Sequence, residues 1–198
     1  MAFRYLLLGV VVALAAASGF SIAEAPAGWF LAGSNPDDYL VGVVDAGPFG
    51  QSAYLKSQVP DPDGFGTLMQ SFDVAAFRGK RIRMSAQVKS VAVYGRAGLW
   101  MRVDGDGETL LLDNMTDRLI RGDWDWTRHE LVLDLPPESE LVAFGIFLHG
   151  RGEVLLDNVD FEEVGPETPI TGLAKHVRYE SSGRARPSAP SNLDFEAE

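Results

Sequence analysis

The stretch WTRHELVLDLPPESELVAFGIFLHGRGEVLLDNVDFEEV, residues 126–164, decides the fold. Apolar and polar residues alternate on both sides of Pro136-Pro137, and the run closes on Leu155-Leu156-Asp157-Asn158-Val159-Asp160-Phe161. Alternation at period 2 marks strands that bury one face, and the paired prolines fix a turn where no ladder can continue. Working outward, similar runs recur at 39–45, 52–57, 66–74, 81–91, 96–104 and 109–113, with Gly-, Pro- and Asp-rich turns between them. No helix-period segment of useful length interrupts them, apart from one short turn expected at 75–80. In 81–91 the residues Ile82, Met84, Ala86 and Val88 share one side, and Arg81, Arg83, Ser85, Gln87 and Lys89 the other, as in a sheet with one wet face. About nine strands suit an all-β fold of two packed antiparallel sheets, a β-sandwich in a jelly-roll arrangement.

The N-terminus points to export. A short positive start ending at Arg4 leads into an almost wholly apolar run over 5–17, and Ser21-Ile22-Ala23 followed by Glu24-Ala25 offers small residues for cleavage near Ala23 or Ala25. Residues 1–25 therefore read as a helical signal peptide, and the expected location is the periplasm or the medium. The apolar core is shorter than the ~20 residues that cross a bilayer, so a retained anchor is the lesser alternative and no membrane span is expected after processing. The chain has no cysteine, which removes both a lipid-anchor site and a disulfide framework. What remains after cleavage suits one domain, over 26–164. The net charge of −11 argues against a broad electrostatic hold on nucleic acid or anionic lipid.

Beyond Val164 the composition changes. Residues 165–191 carry Pro166, Pro169, Pro187 and Pro190 among Gly, Ser and Arg, and read as a flexible linker. A strand-like pattern returns in Asn192-Leu193-Asp194-Phe195-Glu196, within 192–198. The alternative for those residues is a frayed end.

The order of elements, Trp126-Thr127 at the opening of the penultimate hairpin and the closing Leu-Leu-Asp-Asn-Val-Asp-Phe resemble carbohydrate-binding modules of the family 4, 9 and 22 type, galactose-binding-like jelly rolls, over residues 28–164. The runs 28–34 and 98–104 are also similar to an uncharacterised bacterial domain found beside regulator modules. Modules of the carbohydrate-binding group open with Asn-x-x-Phe-Glu shortly before a Gly-Trp. Here Gly28-Trp29 stands near the start, while the matching Asn192 to Glu196 lie at the far end. The resemblance therefore implies that the tail supplies the missing strand, in cis or by pairing with a second copy, so self-association through 192–196 is one expectation. It also implies a structural calcium at the positions matching Asp157 and Glu196; no other cofactor is called for.

For a ligand, alternation is the guide. With Leu99, Met101 and Val103 inward, Trp100 and Arg102 turn outward. A flat aromatic near Arg83, Gln87 and His149 is the mixture of platform and hydrogen bonders that a sugar ring needs. Asn114 and Arg118 would border the same groove, or lie in a solvated loop. In Asp123-Trp124-Asp125-Trp126, Trp126 is taken as structural and Trp124 as packing or binding, while Trp29 plugs an end of the sandwich. Asp104-Gly105-Asp106-Gly107-Glu108 clusters carboxylates but lacks the spacing of a calcium loop, and reads as a hairpin turn.

Enzyme signatures are absent. There is no Gly-x-Ser-x-Gly elbow, and His129, His149 and His176 lack metal-ligand spacing. The function expected is an exported, non-catalytic module binding a glycan or small polar ligand on one sheet face. The competing readings are an envelope interaction module associating through its terminal strand and, less favoured, a small hydrolase with a shallow carboxylate site.

Overall fold

The computed structural model describes residues 24–178 and 186–197. The expected signal peptide falls almost wholly outside the described residues. Ten strands run in chain order: β1 (Phe30–Gly33), β2 (Tyr39–Val44), β3 (Ser52–Ser57), β4 (Phe65–Asp73), β5 (Arg81–Gly105), β6 (Glu108–Asp113), β7 (Ile120–Asp134), β8 (Leu141–His149), β9 (Glu153–Glu163) and β10 (Leu173–Arg178). Two short 3-10 turns, Pro36–Asp38 and Ala75–Phe77, are the helical content among the described residues.

Every ladder is antiparallel, and β5 is the strand that all of them depend on. Its first half pairs with β9 on one edge and β7 on the other, giving a layer ordered β7-β5-β9-β3-β2. Its second half pairs with β8 and β6, giving a layer ordered β1-β4-β8-β5-β6-β10. The two runs expected as separate strands at 81–91 and 96–104 are thus one bent strand of 25 residues. The bend is made by successive register shifts against β7 between Val88 and Ala97, with Ala92 at φ +49°. Bulges of this kind raise the local twist and let a strand change layers without a loop. At Gly95 a Cβ would run into the His149 carbonyl, so only glycine lets the strands come this close.

Between the layers lies the core expected from alternation. Ile82, Met84, Val88, Leu99, Met101 and Val103 of β5 meet Leu131 and Leu133 of β7, Phe144, Ile146 and Leu148 of β8, and Val154 and Leu156 of β9, all buried. Near one end Phe72, Phe144 and Phe161 pack edge to face, with centroids 4.8–5.9 Å apart. Trp29 continues this group at 5.4 Å from Phe144 and is 5 % exposed, the plug expected of it. Trp126, by contrast, is half-buried and stands outside the core. β7 buries Ile120 at its start, buries no residue fully from Arg121 to Glu130, and resumes inward packing at Leu131.

The C-terminal part departs from expectation in two ways. The stretch 165–191, expected as a linker, contains β10, which covers the free edge of β6. Its upstream residues are tied down as well: the Thr171 N–H donates to the Val132 carbonyl, and Arg81 donates to the Pro166 and Thr168 carbonyls. An edge strand can hold any partner through backbone groups alone, so the pairing needs little apolar periodicity. The residues 192–196, expected as a returning strand, form no ladder. Asn192 and Phe195 sit at φ +48° and +61°, which breaks extended geometry. The segment is held as a plug on its own chain instead. Phe195 is fully buried at 5.1 Å from Trp29, the Trp29 Nε1–H donates to the Asn192 carbonyl at 2.9 Å, and the Val159 N–H donates to the Leu193 carbonyl.

Replacing Phe195 by Ala is expected to cost about 3–5 kcal/mol, lowering the melting temperature by on the order of 10 °C. A thermal melt followed by circular dichroism checks this, and an unchanged midpoint would show that the plug carries no weight.

Candidate functional site

The outer face of the β1-β4-β8-β5-β6 layer carries a cleft of about 640 Å³. Its floor follows from strand alternation. Gly98, Trp100 and Arg102 of β5 point away from the core because Leu99 and Met101 point into it, and Phe147 and His149 of β8 do so because Ile146 and Leu148 are buried. Cross-strand register then sets large residues beside small ones. Trp100 lies opposite Gly145, and Phe147 opposite Gly98. A Cβ on Gly98 would stand 3.1 Å from the Phe147 ring and 3.3 Å from Met115 Cβ, so glycine there leaves the ring room to lie down.

Trp100 is half-buried in this floor. Its Nε1–H donates to Thr67 Oγ1 at 2.8 Å, and that hydroxyl donates in turn to the Ile146 carbonyl at 2.9 Å. The indole's only polar atom is therefore satisfied within the protein, and what the ring offers the cleft is an apolar face. Phe65, Met69, Leu112 and Leu119 add apolar wall, and Ser34, Asn114, Thr116, Arg96, Arg102 and His149 supply polar groups.

Two buried devices hold the walls. Met115, at φ +52°, drives its side chain into the core, where its Sδ accepts the Leu99 N–H; Asn114, Thr116 and Leu119 are thereby presented to the cleft. Arg118, read as a second border residue, is drawn off to Asp113 at 2.7 Å and to Asp117. At the far edge the Arg102 guanidinium lies 2.9 Å from Asp104. Burial pushes the Asp104 carboxyl above the ordinary carboxylate range, against the pull of Arg102 and the Thr109 hydroxyl.

Of the side chains singled out from sequence, Trp100, Arg102, Asn114 and His149 come together in the cleft. Arg83, Gln87 and Trp124 do not. Arg83 and Gln87 belong to the first half of β5, whose outer face is that of the opposite layer, and Arg83 is held there by Glu162 at 2.8 Å and Glu130 at 3.5 Å. Trp124 is half exposed on β7 and donates its Nε1–H to the Arg121 carbonyl of its own strand. Phe147, Thr67, Phe65 and Arg96 were missed, although the alternation in β8 that exposes Phe147 is visible in sequence. The histidines lie on three strands, His129 on β7, His149 on β8 and His176 on β10. The five residues 104–108 make the turn expected of them, with Asp106 at φ +53° and Gly107 at φ +75° between Gly105 and Glu108.

The pair Asp157 and Glu196 lies away from the cleft, where the plug meets the 46–51 turn. Asp157 is 1 % exposed; its Oδ1 accepts the Asn158 N–H, and its Oδ2 has no hydrogen-bond partner among the described residues. Burial pushes this carboxyl up; the Asn158 and Phe49 amides pull it down, and the Glu196 and Asp194 charges add to the rise. A Cβ on Gly47 would meet Asp157 Oδ2 at 2.6 Å, the Gln51 carbonyl at 2.7 Å and the Gly50 carbonyl at 2.8 Å. Three oxygens thus flank Gly47, the Gly50 carbonyl accepting its N–H, and Glu196, which accepts the Gln51 N–H, closes the same turn. Among the described residues no three acidic or histidine side chains gather as a metal cluster, so a cation here would draw on backbone oxygens. Hard oxygen donors of this mixed kind fit calcium.

No family model matches the chain. It is 40% identical over 177 residues to a Bacillus subtilis (strain 168) protein named as the uncharacterized HTH-type transcriptional regulator YbfP; the match takes in 86% of this chain and 57% of that protein. The chain therefore spans a little over half the length of the curated relative it matches. Among solved structures, a Stig cyclase, Fisc of Fischerella sp. TAU, superposes with a TM-score of 0.55 at 16% identity, over 73% of this chain and 89% of that one. The CBM22-1 xylan-binding domain of Paenibacillus barcinonensis Xyn10C does so with a TM-score of 0.51 at 20% identity, over 72% and 90%. At such identities the likeness speaks for the fold alone, a β-sandwich of the carbohydrate-binding-module kind that also houses cyclases.

Proposed function

We propose that the chain is a non-catalytic carbohydrate-binding module whose site is the cleft over Trp100, and that residues 1–25 direct its export to the periplasm or the medium. The observation that carries the reading is the indole itself: half-buried, anchored at Nε1 by Thr67, with its face left to a cleft rimmed by Asn114, Arg102 and His149. Stacking of a sugar ring on such a platform, with hydrogen bonders at its edge, is the usual physics of a small polar site. Among the described residues the cleft lining holds no Asp or Glu, so paired carboxylates of the kind used in glycoside hydrolysis have no counterpart among them. The xylan-binding domain of the same fold supports the ligand class.

A second reading is favoured by the regulator relative: the same cleft would sense a small ligand for a DNA-binding partner domain. The chain's own charge of −11 gives it no electrostatic footprint for nucleic acid, so DNA contact would belong to that partner. The two readings differ in compartment. Export predicts a mature N-terminus near Glu24 or Pro26 in the periplasm or medium; cytoplasmic full-length protein on cell fractionation would favour the sensor.

Trp100→Ala is expected to abolish quenching of tryptophan fluorescence by a glycan panel while leaving the circular dichroism spectrum unchanged. Quenching that survives the substitution would move the site elsewhere. We also propose that Asp157 Oδ2, Glu196 and the Gly50 and Gln51 carbonyls hold a structural calcium ion. Calcium at about 100 times its Kd would then add about 2.7 kcal/mol, roughly 5–10 °C in melting temperature. The shift should vanish in Asp157→Asn; no shift in the wild type removes the ion from the account.

A further inference from the structure

The charge lining the cleft runs against the charge of the molecule. Acidic residues outnumber basic ones by 28 to 17 in the chain, yet the charged residues lining the cleft are Arg96 and Arg102, with His149 beside them. Neutral sugars need no such inversion, since hydroxyls are satisfied by either sign of partner.

The two arginines are not equivalent. Arg102 is held by Asp104 through its Nη2 at 2.9 Å and its Nε at 3.1 Å, so its charge is met from below and it acts as an oriented donor. Arg96 is exposed and has no hydrogen-bond or ion-pair partner among the described residues. It follows Gly95, where β5 crosses between layers, and lies opposite His149 in the ladder, with Phe65 opposite His149 on the next strand. One end of the cleft is thus a cross-strand row of a cation, an imidazole and an aromatic ring. Trp100 stands four residues along the same face, ~13 Å at strand rise. A ligand covering both is an oligosaccharide, not a single sugar.

From this we infer that the cleft selects acidic oligosaccharides, placing a carboxylate on Arg96 at the His149 end while a neighbouring ring stacks on Trp100. The inference rests on the carbohydrate-binding reading above and narrows its ligand class. A guanidinium matches a carboxylate fork to fork and binds it more strongly than a neutral acceptor, and an exposed pair of this kind weakens with salt. A sulfate ester presents the same anionic acceptors, and the test separates the two.

The test titrates the full chain, by tryptophan fluorescence and by calorimetry, with matched trisaccharides of galacturonic, glucuronic and mannuronic acid, their methyl esters, and a sulfated trisaccharide. At least one acid should bind about tenfold or more tighter than its own ester. The gap between acid and ester should close in Arg96→Gln and at high salt. A sulfated sugar that binds tightly while the acids match their esters would replace carboxylate by sulfate as the ligand. Acids and esters binding alike with no sulfate preference, or a gap surviving Arg96→Gln, would overturn the inference and leave the neutral-glycan reading standing. Binding of none of these probes, nor of neutral xylo- and galacto-oligosaccharides, would remove both.

Discussion

The inward set Leu99, Met101 and Val103 is the constraint from which the rest of the structure follows. Burying those three in the common core leaves Trp100 and Arg102 no direction but outward, since successive side chains on a strand oppose one another. The same strand supplies Ile82, Met84 and Val88 to the other layer, so one continuous backbone joins both halves of the core. A one-residue slip of β5 against β8 would expose the apolar set and bury the cleft floor together. Fold and site are thus held in register by one ladder.

The cleft is shaped by what is missing as much as by what is present. Gly98 carries no side chain where Phe147 lies across from it, which leaves that ring room on the sheet, and at Gly145, opposite Trp100, a Cβ would run into the Leu68 carbonyl of β4. Thr67 accepts the indole N–H and donates its own O–H to the Ile146 carbonyl, so the ring is oriented before any ligand arrives. A platform fixed in advance loses little side-chain freedom on binding.

Much of this was legible in the sequence, and the failures share a cause. Alternation tells which face of a strand a residue occupies, and it found the inward set of β5, the outward Trp100, Arg102 and His149, and the turn at Asp106-Gly107. It does not tell which layer that face belongs to. Arg83 and Gln87 were therefore grouped with Trp100, although the bulged passage around Ala92 carries them to the opposite side of the molecule. Met115 escaped notice for a related reason: it plugs the core from a positive-φ position in irregular backbone, where no period exists to read. Phe195 is inward as its alternation with Leu193 suggests, but it is buried from irregular backbone and not from a strand. β10 was hidden because an edge strand is held by main-chain groups, which every residue but proline offers alike.

The clasp between Trp29 and the 192–195 segment brings the first and last described stretches of the chain side by side. Tension applied to both ends would enter the molecule at this seam, loading the Trp29 and Asn192 side-chain hydrogen bonds and one pair of rings before it reached any ladder. The seam would then behave as a mechanical fuse, yielding first and leaving the cleft-bearing layer intact beneath it.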